Sequence, residues 1–197
     1  ISLKHKSFDD LPQGAVVGTS SLRRQAQIKR IRPDLKIVGF RGNVQTRLTK
    51  LRDEVAEATF LACAGLRRLG LADHITAPVP VEHMLPAVAQ GAIGIEIRID
   101  DEETASLLAP LNDEATALCV TAERAFLATL EGSCRTPIAG LARLESGTLT
   151  FKGETLSPDG RRHVVSAQSG PASAAANIGV TVADDILSRG GREVLQG

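Results

Sequence analysis

The sequence contains few aromatic residues: five Phe, no Trp and no Tyr among its 197 residues. Base-stacking platforms for single-stranded nucleic acid need aromatic faces, so this composition argues against that class of protein. Cysteine is also scarce, with only Cys63, Cys119 and Cys134 present, and an odd number cannot all pair. Their spacing matches no zinc motif, and so few cysteines are typical of a protein in a reducing compartment. We therefore expect no metal site.

Long apolar runs are missing as well. No stretch is long enough to span a bilayer and no signal peptide is recognisable, so we expect a cytoplasmic protein without a membrane partner. The net charge is zero, yet residues 1–70 hold 14 Lys/Arg against 6 Asp/Glu, whereas residues 71–197 hold 9 against 17. The resulting excess of positive charge in the first third favours an anionic ligand.

Apolar segments and helical patterns alternate three times in the first seventy residues. Strands are predicted at 15–17, 35–40 and 59–63, and helices at about 20–31, 43–52 and 66–71. This alternation is typical of a parallel sheet with helices on its faces. The carboxyl ends of parallel strands share one edge, where ligands bind in such folds.

Arginine recurs at all three predicted strand-to-helix junctions. The junctions carry Thr19, Ser20 and Ser21 with Arg23 and Arg24; Arg41, Gly42 and Asn43 with Arg47; and Ala64 and Gly65 with Arg67 and Arg68. Ser or Thr at the first junction and Asn43 at the second can cap the helices that follow, and free N–H groups there attract anions. Guanidinium groups bind carboxylates and phosphates through paired hydrogen bonds. The pattern predicts an anion site, with a solvated basic surface as the alternative.

The second half of the chain has a different organisation. A short helix from Leu85, a glycine-containing turn and a strand at 93–98 are predicted first; the glycines are too few for a dinucleotide fingerprint. Helices follow at 104–111 and 114–130, strands at 138–143, 147–154 and 162–168, and a helix at 173–189 capped by Ser173. The pattern indicates a small α+β domain with a three-stranded antiparallel sheet.

A polar loop at 131–137 interrupts this second half, with Cys134 at its centre. Arg135 is its neighbour, and a nearby cation favours the thiolate form. Cys63 and Cys119 lie on apolar segments, which are more typical of inert thiols. Cys134 alone has the surroundings of a reactive cysteine, although a single loop cysteine is often incidental.

Five motifs together carry a resemblance to a known family. They are Val17-Gly-Thr-Ser-Ser-Leu-Arg-Arg-Gln25, Phe40-Arg-Gly-Asn-Val-Gln-Thr-Arg-Leu48, Ala62-Cys-Ala-Gly-Leu-Arg-Arg-Leu-Gly70, Leu85-Pro-Ala-Val-Ala-Gln-Gly-Ala-Ile-Gly94 and Leu130-Glu-Gly-Ser-Cys-Arg-Thr-Pro137. In this order and spacing the chain resembles the porphobilinogen deaminases, or hydroxymethylbilane synthases, of tetrapyrrole biosynthesis.

The resemblance implies a transferase that joins four porphobilinogen molecules head to tail, with loss of ammonia, on a dipyrromethane cofactor held by a thioether to Cys134. It implies that Thr19, Ser20, Ser21, Arg23 and Arg24 bind the cofactor carboxylates. It further implies that Arg41, Arg47, Arg68 and Gln90 bind substrate, with Arg41 close to the deamination step.

The resemblance also implies a domain organisation. The doubly wound, mostly parallel sheet would be periplasmic-binding-protein-like, with a second domain at 1–86, a returning part of the first domain at 87–113 and the C-terminal domain at 114–197. A catalytic aspartate is expected upstream, so we expect this chain alone to be inactive. We expect a monomer, in the cytoplasm or in a plastid.

Two other hypotheses remain open at this stage. One is a non-enzymatic anion-binding module of the periplasmic-binding-protein type, which would carry no covalent group on Cys134. The other is nucleic-acid binding through the basic first third, which the scarcity of aromatic residues and the lack of a known motif disfavour.

Overall fold

The first half of the chain forms a small parallel sheet, in a computed structural model that describes residues 1–196. Strands β1 (Val16–Gly18), β2 (Lys36–Val38) and β3 (Ala58–Thr59) lie in the order β2-β1-β3, and both pairs are parallel. Helices α1 (Leu22–Ile31), α2 (Val44–Arg52) and α3 (Cys63–Arg68) each follow one strand. The predicted alternation is confirmed, although β2 and β3 are shorter than predicted because only these residues find a ladder partner.

Alternation along β1 sends its side chains to opposite faces of the sheet. Val17 packs in one apolar cluster with Ile28 of α1, whereas Val16 packs against a second cluster that contains Phe40 and Leu51 of α2. Because successive strand residues point to opposite faces, α1 and α2 cover different faces of the sheet. Burial on both faces explains why the sequence around β1, at 15–17, is a continuous apolar run.

The second half folds around an antiparallel sheet. Strands β4 (Ile138–Glu145), β5 (Thr148–Leu156) and β6 (His163–Pro171) pair in chain order, which confirms the predicted three-stranded sheet. The helices of this half are α4 (Glu102–Leu108), α5 (Glu114–Thr129), α6 (Ala175–Ser188) and α7 (Gly191–Gln196), with short 3-10 turns at Ala109–Leu111 and Ala172–Ala174. Another 3-10 turn, at Ala72–His74, follows α3 in the first half. Within residues 1–196, every helix is too short or too polar to cross a membrane.

Helices α5 and α6 pack closely against each other and share one apolar core with the antiparallel sheet. A Cβ atom at Gly179 would lie 2.0 Å from the carbonyl oxygen of Ala122, so glycine permits this approach of the two backbones. Phe126 of α5 meets Phe151 of β5 edge-on at 4.9 Å between ring centroids. Such aromatic contacts favour a single packing arrangement.

The two halves touch where the turn at 157–160 lies on α1. The side-chain amide of Gln25 donates to the carbonyl oxygen of Pro158 at 3.3 Å. Gly160 has φ +73°, and a Cβ atom there would lie 2.5 Å from the carbonyl oxygen of Ala26. Only glycine fits this position, because it must both adopt a left-handed conformation and contact the helix backbone.

Three predictions about the second half are wrong. The segment from Leu85 forms turns instead of a helix, and residues 93–98 are irregular instead of a strand. Ile93 and Ile95 are 80% and 57% exposed, and no described residue pairs with them, so their alternation has no sheet to join. Ser173 is not a cap: it lies within a 3-10 turn, and Ala174 precedes α6 without a side-chain cap.

Candidate functional site

The loop between β1 and α1 directs three hydroxyl groups toward the strand end. Ser21 caps α1 by accepting from the backbone N–H of Arg24 at 3.4 Å. Thr19 Oγ1 accepts from the N–H of Ser21 at 3.2 Å, and Ser20 Oγ accepts from the N–H of Phe40 at 2.9 Å. Since a hydroxyl can accept and donate at once, each of these groups still has a proton to offer a ligand.

Arg23 is buried, with 8% of its surface exposed. Its guanidinium donates to the carbonyl oxygen of Leu85 at 2.5 Å and to Gln90 Oε1 at 3.3 Å. Burial, together with the neighbouring Arg24 charge, lowers the pKa of Arg23 to about 10, which leaves it cationic at neutral pH. Among the described residues it forms no ion pair, so its charge is available to an anionic ligand.

Arg24 brings the three strand-to-helix junctions together. It lies on α1 and donates to the carbonyl oxygen of Phe60, just beyond β3, at 2.8 Å. Burial lowers the pKa of Arg24, and repulsion from Arg47 on α2 lowers it further. Two cations that repel each other, with no carboxylate paired to either in the described part of the chain, form a site suited to an anion.

The start of α2 supplies the second group of cations. Asn43 caps this helix by accepting from the N–H of Thr46 at 2.8 Å, as predicted. Arg47 donates to the carbonyl oxygen of Gly42 at 2.9 Å, and Lys50 donates to that of Arg41 at 3.0 Å. The Arg41 side chain is exposed and free to meet a ligand.

Arg67 and Arg68 are less closely connected to this group. Both lie exposed in the last turn of α3, where cations complement the helix dipole. No hydrogen bond or ion pair of the described residues joins either of them to Arg23 or Arg24.

A cleft of about 590 Å³ opens beside α1. Phe8, Phe60 and Met84 give it apolar walls, and Arg23, Arg24 and Gln90 give it polar groups. The remaining predicted arginines, Arg41, Arg47 and Arg68, do not line it. An apolar cleft with a few converging polar groups is the usual form of a small-molecule site.

The segment 85–90 was not predicted to interact with α1 in this way. Gln27 donates to the carbonyl oxygen of Leu85 at 3.0 Å, beside Arg23, and is fully buried. Gln90 also accepts from the N–H of Ala87 at 3.1 Å, which folds the segment into a turn. The spacing of Arg23 and Gln27, one helical turn apart among buried residues, is the sequence signal for this contact.

Sequence reasoning also missed Glu123, a buried carboxylate on α5. It accepts from the N–H of Ala89 at 2.5 Å and from that of Ala142 in β4 at 2.9 Å. Burial raises the pKa of Glu123, while the two N–H groups oppose that rise. A charged residue between Ala122 and Phe126 on an otherwise apolar helix face is the signal that could have revealed it.

Cys134 is exposed and free, in the loop between α5 and β4. The loop is shaped by Thr136 Oγ1, which accepts from the N–H of Ser133 at 2.8 Å. Cys119 is half-buried, and burial raises the pKa of its thiol, which disfavours reactivity. No hydrogen bond of the described residues links Cys134 to the predicted arginines. Among residues 1–196, no cluster of three His, Cys, Asp or Glu side chains could hold a metal ion.

The fold and the site together define an α/β unit with arginines clustered at the strand-to-helix junctions, joined to a small α+β unit in which Cys134 is exposed. Two family models match the chain: "Porphobilinogen deaminase, dipyromethane cofactor binding domain" over residues 1–106 and "Porphobilinogen deaminase, C-terminal domain" over residues 117–188. The chain is also 56% identical, over 189 residues, to the porphobilinogen deaminase of Paracoccus denitrificans (strain Pd 1222).

The chain belongs to the porphobilinogen deaminase family, as the resemblance indicated. The alignment with the Paracoccus protein covers 96% of this chain and 60% of that relative. The chain therefore spans about three fifths of the length of the relative that it matches. The match over residues 1–106 is to the domain that binds the dipyrromethane cofactor, in agreement with the predicted cofactor.

Proposed function

We propose that the protein is a hydroxymethylbilane synthase, a transferase that joins four porphobilinogen molecules on a dipyrromethane primer for tetrapyrrole biosynthesis. The observation that carries this proposal is the group formed by Arg23, Arg24 and Arg47, which lie near one another and form no ion pair within residues 1–196. Each pyrrole ring of the product carries an acetate and a propionate, so the ligand is a polyanion. Guanidinium groups bind such carboxylates through charge-assisted hydrogen bonds.

The residues present fit the dipyrromethane cofactor. Its carboxylates would be bound by Arg23 and Arg24, with donors from the hydroxyl groups of Thr19, Ser20 and Ser21, whose backbone contacts leave their protons free. Cys134 would hold the cofactor through a thioether, and its exposure makes the sulfur accessible for that bond. When bound, the cofactor supplies the primer on which the chain is extended.

Substrate binding is the proposed role of a second set of residues: Arg41, Arg47, Arg68 and Gln90. Arg41 is exposed and lies close to the deamination step in this proposal. A guanidinium remains protonated at neutral pH, so its contribution is to position a carboxylate instead of moving a proton. The amide nitrogen of Gln90 can donate to a ligand, because its oxygen already accepts from Arg23 and Ala87.

The domain organisation forms part of the proposal. Residues 1–86 would be the second domain, 87–113 a returning part of the first, and 114–197 the C-terminal domain. The exposed isoleucines around Ile93 and Ile95 support this reading, because an apolar alternation of this kind suits a strand in a larger sheet. We place the parallel sheet in a doubly wound, periplasmic-binding-protein-like domain. We further propose a monomer that acts in the cytoplasm, or in a plastid.

Intact mass measurement tests the function directly. The full-length protein, purified from cells, is expected to carry the added mass of dipyrromethane and to consume porphobilinogen with release of ammonia. Cys134→Ser is expected to lose both the added mass and the activity, because no sulfur remains at this position to form the thioether. Cys119→Ser is the matched control and should keep both.

Two outcomes would contradict the proposal. An unmodified wild-type protein that binds carboxylates without turnover would favour a non-enzymatic anion-binding module. If Cys134→Ser still carries the added mass, the cofactor is attached at another residue.

A further inference from the structure

We propose that Glu123 is a positioning residue that holds the cofactor-binding arginine Arg23 in place through the segment 85–90. The inference rests on the proposed function for the identity of the ligand. We refer to residues 85–90 as the strap, because this segment lies between α1 and the antiparallel sheet and is hydrogen-bonded to both.

On the side of α1, the strap makes three hydrogen bonds with two buried side chains. Arg23 and Gln27 both donate to the carbonyl oxygen of Leu85, at 2.5 and 3.0 Å. Arg23 also donates to Gln90 Oε1 at 3.3 Å. Two points of the strap, one near each end, therefore fix the direction of the Arg23 guanidinium.

On the opposite side, the strap is held by the C-terminal half. Glu123 accepts from the N–H of Ala89 at 2.5 Å and from that of Ala142 in β4 at 2.9 Å. The N–H of Gly140, also in β4, donates to the carbonyl oxygen of Pro86 at 3.1 Å. One carboxylate thus joins the strap to the sheet at the residue that precedes Gln90.

The backbone of the strap requires such support. Ala89 has φ +56°, a left-handed conformation that is uncommon for a residue with a Cβ atom. It is followed by exposed residues without regular structure. A buried carboxylate that binds the Ala89 N–H stabilises this conformation, and with it the position of Gln90.

The arrangement gives Glu123 an indirect role in the reaction. It does not line the cleft, whereas Arg23 and Gln90 do. A shift of the strap would move both Arg23 contacts together, and misplacement by about 1 Å can reduce a rate by about a hundredfold. Glu123 therefore acts through the strap on the arginine that binds the cofactor carboxylates.

The test replaces Glu123 by glutamine in the full-length holoenzyme. Glu123→Gln keeps the size of the side chain but leaves one acceptor oxygen for two N–H groups, so the N–H of Ala89 or that of Ala142 loses its partner. We expect kcat for porphobilinogen to fall at least about tenfold. We expect KM for porphobilinogen to rise as well, because the strap also positions Gln90, a proposed substrate-binding residue. Glu114→Gln, at the exposed start of the same helix, is the matched control and should leave both values unchanged.

A double variant separates positioning from a merely structural role. If Glu123 acts through the strap, adding Gln90→Leu to Glu123→Gln should lower kcat no further than the stronger single variant, within about threefold. Fully multiplicative effects, or a kcat unchanged in Glu123→Gln, would overturn the proposal. Loss of stability with normal kcat in the folded fraction would overturn it as well.

Hydrogen exchange of the wild-type protein provides a second measurement that needs no variant. The amide hydrogens of Ala89 and Ala142 are both expected to exchange at least about a hundredfold more slowly than in an unstructured peptide. If the amide hydrogen of Ala89 exchanges as fast as in an unstructured peptide, the proposed support of the strap by Glu123 is refuted. Because exchange does not depend on the reaction, a protected Ala89 in a protein without porphobilinogen turnover would refute the proposed function while leaving the strap intact.

Discussion

Replacing Arg23 by methionine should weaken cofactor binding without lowering the stability of the folded protein. Arg23 is 8% exposed, and burial lowers its pKa to about 10. Because the pKa of Arg23 is lower in the folded protein than in the unfolded chain, the positive charge of Arg23 destabilises the folded protein at every pH below about 10. A shift of this size corresponds to about 3 kcal/mol.

The hydrogen bonds lost in Arg23→Met offset part of that gain. Each contributes about 1 kcal/mol, and neither acceptor becomes orphaned. Leu85 keeps the Gln27 donor at 3.0 Å, and Gln90 Oε1 keeps the N–H of Ala87 at 3.1 Å. We therefore expect the free energy of unfolding of cofactor-free Arg23→Met to be between equal to that of the wild type and about 3 kcal/mol higher.

Ligand binding should change in the opposite direction. A hydrogen bond between charged groups contributes about 1.5–3 kcal/mol, so the loss of Arg23 should weaken binding of the dipyrromethane before the thioether forms by about tenfold to a hundredfold. A smaller fraction of the protein should then carry the cofactor. Urea unfolding in a Cys134→Ser background gives the stability without cofactor, and intact mass gives the cofactor content. Arg52→Met, at an exposed site on α2, is the control and should change neither. Full cofactor loading of Arg23→Met, or a loss of stability above about 2 kcal/mol, would refute the reasoning.

Two further predictions concern stability. Burial raises the pKa of Glu154 above 4.5, so the folded state holds its proton to higher pH than the unfolded chain, and stability should fall as pH rises through the window above 4.5. Glu154→Gln should reduce that slope in urea unfolding between about pH 5 and pH 8, and an unchanged slope would contradict the assignment. Gly179→Ala should destabilise the protein by about 1–3 kcal/mol because its Cβ would meet the carbonyl oxygen of Ala122. Gly65→Ala, in α3 with open space around it, should be neutral or stabilising; equal effects of the two would contradict this account.

Local patterns in the sequence were sufficient to predict the junctions. Ser21 and Asn43 cap α1 and α2 as predicted, because a cap depends on residues within one helical turn. The antiparallel sheet was predictable for a similar reason, since β4, β5 and β6 are neighbours in the chain and alternate in polarity. These features are set by sequence separations of a few residues.

The remaining features depend on contacts between distant residues. Arg23 meets Gln90 across 67 positions, and Glu123 meets Ala89 across 34. The helical pattern marks Arg23, Gln27 and Glu123 as polar residues at buried positions, but it does not show that the strap is their partner. The strand predicted at Ile93 fails for the complementary reason. Alternating apolar residues specify a strand only where a neighbouring strand is present to pair with it.

The glycine at position 160 limits how the ligand can be accommodated as it lengthens. At that point the turn meets the backbone of α1, and no side chain lies between them that could change rotamer and allow the halves to slide. Movement of the helix that bears Arg23 relative to the unit that bears Cys134 would therefore have to break this direct backbone contact. On the proposed function, displacement of the 131–137 loop could provide room for additional pyrrole rings, because Cys134 is exposed there and the Ser133–Thr136 contacts span only three residues.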